Sequence, residues 1–294
     1  MIYLNGEYMP LEEARIPVLD RGFIFGDGIY EYVPVFDRVP FRMGEHYQRL
    51  VKSLAAVKIP NPFDEAVFFA VVRKLVAEHP SENQGVYVHI TRGVAPRDHS
   101  FPRNISPTVF IMSNALALPT AEQIENGLAV SVREDIRWLR CDIKSISLLG
   151  HCMLRTEATE EGSAEVILVR NGYLTEASAS NVLVVKDGTV LCPPKDNLIL
   201  PGISYEVVLE LLREHGFIHA VRPVTEAELR KIEDALPASF ELSFAFSPWS
   251  IGADIFKRLD IPETEWQSPK INLLKRLGFT KQQISTANDH ICGR

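Results

Sequence analysis

The chain has no long apolar run, no block of lysine and arginine, and few cysteines. Apolar stretches such as Val67–Val72 and Val109–Met112 fall far short of the roughly 20 residues that cross a bilayer, so a soluble protein is expected. The four cysteines, Cys141, Cys152, Cys192 and Cys292, form no C-x-x-C pair. Their number is low for a disulfide scaffold, and their spacing offers no structural zinc site; a reducing cytoplasm and no metal are the expectation. The opening Met-Ile-Tyr-Leu-Asn-Gly-Glu lacks the basic start and apolar core of a secretory signal, so export is not expected. A net charge of −7 without a basic patch disfavours nucleic acid and anionic membranes as partners. No internal repeat or low-complexity segment is present.

What remains is an ordinary globular composition: 46% apolar and 23% charged residues supply a packed core, and 294 residues suit two domains. Asn5-Gly6 between Ile2-Tyr3-Leu4 and Glu7-Tyr8-Met9 predicts an opening β-hairpin. Apolar residues at helical spacing predict amphipathic helices over 43–57 and 64–78, and short β-branched runs predict strands over 85–91 and 107–113. Residues 1–115 therefore read as a small mixed α/β domain. Ala115–Ala121 contains a proline between strand-like regions, which places a linker at 116–122. Residues 123–294 form the larger domain, with strands at 165–169, 173–174, 181–185 and 189–192, helices at 146–161, 204–215 and 225–233, and a turn at Asp187-Gly188.

Four clusters combine reactive side chains with turn residues. Asp20-Arg21-Gly22-Phe23 leads into Phe25-Gly26-Asp27-Gly28, either a close approach to another surface or a tight turn before a strand. Thr91-Arg92-Gly93 through Arg97-Asp98-His99 concentrates two guanidinium groups and an imidazole, either a carboxylate clamp or a solvated loop. Lys144 in Arg140-Cys141-Asp142-Ile143-Lys144-Ser145 sits among apolar residues, either a nucleophilic amine of lowered pKa or a snorkelling surface lysine. Thr175-Glu176-Ala177-Ser178-Ala179-Ser180-Asn181 offers a carboxylate among small hydroxyls. Leu200-Pro201-Gly202-Ile203-Ser204 opens a helix, with Ser204 a phosphate ligand or an N-cap.

In order and spacing these clusters resemble the fold-type IV enzymes dependent on pyridoxal 5′-phosphate (PLP), from residue 1 to about 235. The resemblance implies a two-domain α/β fold, with a small N-terminal α/β domain and a larger mixed α/β domain containing a pseudo-barrel sheet. It implies that Lys144 forms the Schiff base with PLP and carries the substrate proton. Glu176 pairs with the pyridine nitrogen, and Arg49, in Glu45-His46-Tyr47-Gln48-Arg49-Leu50, binds the phosphate. Leu200, Ile203, Ser204, Ser180 and Ser239 complete the cofactor site. Arg97 and His99 with Tyr30 resemble the substrate carboxylate trap of D-amino acid aminotransferases, which implies ping-pong transfer from a D-amino acid to a 2-oxo acid. In those enzymes the loop comes from the second subunit, so a homodimer is implied. The other readings are a branched-chain L-aminotransferase, an (R)-amine transaminase, a lyase of the aminodeoxychorismate type, and an impaired PLP-binding relative. From about 236 the sequence departs from the family pattern, and only Ser239 matches there.

Overall fold

The computed structural model describes residues 1–238, 255–256, 259, 261–262 and 273–291. It divides into two compact units. The first holds 1–119, 136–153 and 195–206; the second holds 120–135, 154–194 and 207–294. The division does not follow the chain linearly: 136–153 and 195–206 pack into the first unit although they lie beyond the linker expected at 116–122. Ser239 lies outside the described residues.

The first unit opens with the expected hairpin, β1 (Ile2–Leu4) and β2 (Glu7–Met9), turned at Asn5 and Gly6, both at positive φ. There follow α1 (Arg21–Phe25), β3 (Gly28–Phe36), β4 (Val39–Pro40), α2 (Met43–Ala56), α3 (Glu65–Glu78), β5 (Gln84–Thr91) and β6 (Thr108–Ala115). The strands form one antiparallel sheet in the order β2-β1-β6-β5-β3-β4. Leu50 and Leu54 of α2 and Phe68, Val72 and Leu75 of α3 pack with Ile29, Val33, Val88 and Ile111 of the sheet into one core. Each such fully buried side chain contributes about 1.5–3 kcal/mol. On β3 the residues Ile29, Glu31, Val33 and Val35 are all buried, so a carboxylate occupies the core-facing register while Tyr30 points to the other face.

Three local expectations change. The residues around Asp20–Gly26 form a one-turn helix rather than a bare turn, because the Asp20 carboxylate caps the N–H of Gly22 and Gly26 closes it at a left-handed φ of 65°. Part of the proposed linker is helical: α4 (Ala121–Asn126) starts on a reciprocal capping box between Thr120 and Gln123. The helix expected from 146 begins at 149, because Ile146 donates its N–H to the Gly28 carbonyl and is held beside β3 instead.

In the second unit β7 (Val130–Glu134), β8 (Glu165–Arg170) and β9 (Tyr173–Ala177) form one sheet, with β7 and β8 parallel. Within the chain α5 (Leu149–Glu160) precedes β8. A second sheet contains β10 (Val184–Lys186), β11 (Thr189–Cys192) and, after α6 (Ile203–Glu214), β12 (His219–Val221). The β10–β11 turn is the expected Asp187-Gly188. Then come α7 (Glu226–Ala238), α8 (Leu273–Arg276) and α9 (Lys281–Ile291). Among the described residues no helix is long and apolar enough to cross a membrane.

Gly93, just after β5, has φ 106°, and a Cβ there would lie 2.0 Å from the Ser106 carbonyl oxygen. Gly93→Ala is expected to cost about 3 kcal/mol from backbone strain and overpacking together. Urea unfolding measures it, and an unchanged midpoint would contradict this reading of the turn.

Candidate active site

Lys144 is fixed through its backbone before its side chain does anything. Its carbonyl accepts the N–H of Tyr30 at 2.8 Å, and its own N–H reaches Ser53 Oγ on α2 at 3.4 Å. Ser145 bridges to Ile29, and Ile143 belongs to the apolar core. The half-buried amine Nζ lies 4.2 Å from the centroid of the Tyr30 ring, a cation–π arrangement. The structure therefore brings Lys144 and Tyr30 together. Tyr30 also packs against Tyr87, with centroids 5.9 Å apart.

One turn before Ser53 on the same face of α2 is Arg49, in a buried three-residue cluster. Its Nε and Nη2 donate to the two carboxylate oxygens of Glu31 at 3.0 and 2.6 Å, and His46 Nδ1 lies 3.0 Å from Glu31 Oε1. The Tyr32 N–H adds a bond of 2.8 Å. Glu31 is wholly buried. Burial alone raises its pKa, but hydrogen bonds and charge from His46 and Arg49 outweigh that and bring it down to about 2. The family motif contains Arg49 but assigns no role to Glu31, whose signal is an acid at a core-facing position of an alternating strand.

Arg49 Nη1 donates to the carbonyl of Pro201 at 3.1 Å. That bond joins the guanidinium to the Leu200–Ser204 turn, where α6 begins at Ile203. Gly202 is buried, Leu200 and Ile203 are half-buried, and Ser204 is exposed. The fork of Arg49 is held by Glu31, which leaves its positive charge beside the turn that opens a twelve-residue helix, an arrangement suited to a phosphate. With a primary amine on the same helix-backed framework, the residues of the first unit fit PLP.

In the second unit Glu176 is buried on β9, and Asn181 Nδ2 donates to its Oε2 at 3.0 Å. Its neighbour Thr175 donates to Asp135 Oδ2 at 3.0 Å, and Asp135 pairs with Arg170 at 3.1 Å. Ser178 is hydrogen-bonded to Glu165, which Arg155 also holds at 2.8 Å. Ser180 is exposed, and its carbonyl accepts the Ala177 N–H at 2.8 Å. Asn181 stands in the Thr175–Asn181 cluster, but its role as the partner of Glu176 is not marked in the sequence, and nor are Asp135 and Arg170, since nothing there marks a residue as the brace of another.

The two arginines of the 91–99 loop separate. Arg92 is not in a solvated loop: it is 3% exposed and spends its fork on Asp27, with Nε–Oδ2 at 2.8 Å and Nη2–Oδ1 at 2.9 Å. The Val57 and Lys58 carbonyls take further bonds. The carboxylate it clamps is thus internal. Burial raises the Asp27 carboxyl pKa, and the bonds from Arg92 and Arg21 more than reverse this, leaving it lowered. Arg97 and His99 are exposed and gather on Phe25: the Arg97 guanidinium carbon is 5.4 Å from the ring centroid, and the His99 ring centre is 5.4 Å away.

The amino-transferase class IV family matches residues 28–238. The chain belongs to the class IV aminotransferases. This family member therefore carries out amino transfer between amino acids and 2-oxo acids, with PLP as its cofactor. Among its relatives, the D-alanine aminotransferase of Staphylococcus haemolyticus is 38% identical over 239 residues, covering 81% of this chain and 84% of the relative. That of Bacillus licheniformis is 36% identical over 238 residues, covering 81% and 84%. Among solved structures, a fold IV transaminase from Curtobacterium pusillum superposes with a TM-score of 0.67 at 26% identity, covering 76% of this chain and 79% of the other. The branched-chain amino acid aminotransferase of Escherichia coli gives 0.71 at 25% identity, covering 76% and 77%. The mixed α/β architecture expected from the sequence is that of this class.

Proposed function

We propose that this class IV aminotransferase transfers the amino group of a D-amino acid, D-alanine or one like it, to a 2-oxo acid such as 2-oxoglutarate. The observation that carries the reading is the pairing of Arg97 and His99 on one ring at the exposed end of a braced loop, the residues that resemble a carboxylate trap. The D-alanine aminotransferases at 38% and 36% identity support it.

The residues take these roles. Lys144 holds the cofactor covalently and its Nζ moves the proton of the substrate α-carbon. Arg49, Ile203 and Ser204 hold the phosphate, with Leu200 against the cofactor ring. Glu176, held by Asn181, keeps the proton on the pyridine nitrogen, and Ser180 is a further cofactor ligand. When bound, PLP supplies the electron sink for α-proton loss and carries the amino group between substrates. Tyr30, Arg97 and His99 bind the substrate carboxylate, Arg97 by its fork. The assembly is a homodimer in which the Arg97–His99 loop serves the second subunit's site. The protein works in the cytoplasm; the described cysteines, Cys141, Cys152 and Cys192, are free thiols.

Offering D-alanine and L-alanine separately with 2-oxoglutarate tests the assignment. Pyruvate release from the D-enantiomer at least about 100-fold faster, as loss of one well-placed carboxylate contact for the L-form requires, is the expected result. Equal or L-preferring turnover would defeat it and favour a branched-chain L-specific enzyme.

A further inference from the structure

Arg21 is 2% exposed and no motif singled out its role. From α1 its guanidinium works in two directions. Nε donates to Asp27 Oδ2 at 2.7 Å. Nη1 donates to the Asp98 carbonyl at 2.5 Å, and Nη2 to the His99 carbonyl at 3.5 Å. Asp27 is the carboxylate that also receives Arg92, whose guanidinium carbon lies 3.5 Å from the centroid of Phe101. Both ends of the 92–101 loop are therefore fastened to one buried ion cluster, while the side chains of Arg97 and His99 stay exposed. The Asp98 carboxylate, which sits between Arg97 and His99 in sequence, is turned onto the Ser100 N–H at 2.7 Å.

Phe25 closes the arrangement. The half-buried ring has the Arg21 guanidinium carbon 4.7 Å from its centroid, Arg97 at 5.4 Å, and the His99 ring at 5.4 Å with planes inclined by 43°. An exposed arginine has high rotamer freedom, and a ring on which the guanidinium rests removes part of it before any ligand arrives.

We propose that Phe25 and Arg21 are positioning residues for substrate carboxylate recognition: Phe25 is the shared platform that orients Arg97 and His99, and Arg21 fixes the Asp98–His99 backbone beneath them. The proposal rests on Arg97 and His99 acting as the carboxylate trap. It goes beyond that reading by assigning the geometry of the trap to two residues that need not touch substrate. Because both substrates of the transfer carry the same carboxylate, weakened positioning raises KM for the amino acid and for the oxo acid together.

The test is steady-state kinetics of the holoenzyme with D-alanine and 2-oxoglutarate for Phe25→Leu, Phe25→Tyr, Arg21→Lys and Arg97→Ala, with melting temperature and visible absorbance recorded for each. Phe25→Leu is expected to raise both KM values about fivefold to tenfold, the combined effect of two weak ring contacts. Its kcat should stay within about twofold and its cofactor absorbance unchanged. Phe25→Tyr, which keeps the ring, should restore both KM values. Arg21→Lys, which keeps the charge but loses the fork, should raise them too. If Arg97→Ala raises KM but Phe25→Leu and Arg21→Lys leave it alone, or only lower kcat and melting temperature, the positioning role is overturned and the trap stands. If Arg97→Ala leaves KM unchanged, the trap itself fails and the positioning role with it.

Discussion

Lys144→Ala should lose at least about 10³-fold in kcat, because in the role proposed for Lys144 the substitution removes both the covalent anchor of the cofactor and the amine that transfers the α-proton; general acid–base catalysis alone supplies about 10²–10⁴-fold. Stability should change little. The fold grips residue 144 by its backbone, through the 2.8 Å bond from Tyr30 N–H and the bridge of Ser145 to Ile29, and alanine keeps those bonds. Single-turnover absorbance with D-alanine, alongside a urea melt, measures both effects. Near-wild-type turnover would contradict the assignment, and a collapsed melt would instead make Lys144 a structural residue.

Glu31→Gln should destabilise the protein by about 3–5 kcal/mol, since it leaves the Arg49 cation buried without its counter-charge. In the role proposed for Arg49, the same substitution should also weaken cofactor binding, because Glu31 orients the Nε and Nη2 of its guanidinium. The cluster also gives a pH dependence. The Glu31 carboxyl is brought down from 4.5 to about 2 in the folded chain, so the folded state binds this proton less readily than the unfolded one. The stabilisation is full above about pH 4.5 and is lost as pH falls towards 2. At roughly 1.4 kcal/mol per pH unit of displacement it amounts to about 3 kcal/mol. Urea midpoints measured from pH 6 down to 2 should fall more steeply for the wild type than for Glu31→Gln. Parallel curves would show that the ion cluster contributes nothing.

Local structure was legible where local chemistry decides it. Asn5-Gly6 specifies its hairpin, and the apolar spacing of Tyr47, Leu50 and Leu54 specifies α2. Asp64 and Thr120 cap their helices, although the proline before Thr120 masks its capping box in the sequence. The family pattern led to Lys144, Arg49 and Glu176. Their braces were not legible, since each depends on a contact distant in the chain. Arg92 and Arg97 look alike in sequence, yet Arg92 is buried because Asp27, 65 residues earlier, waits for it. Glu31 belongs with them: only once β3 is formed does its place between Ile29 and Val33 show it in the core-facing register, where a buried acid demands a cation.

Borohydride reduction of the holoenzyme, followed by digestion and mass mapping of the lysine that carries the cofactor, tests the central claim most directly. The account predicts the label on the peptide containing Lys144 and nowhere else. A label on another lysine, or none at all, would contradict it.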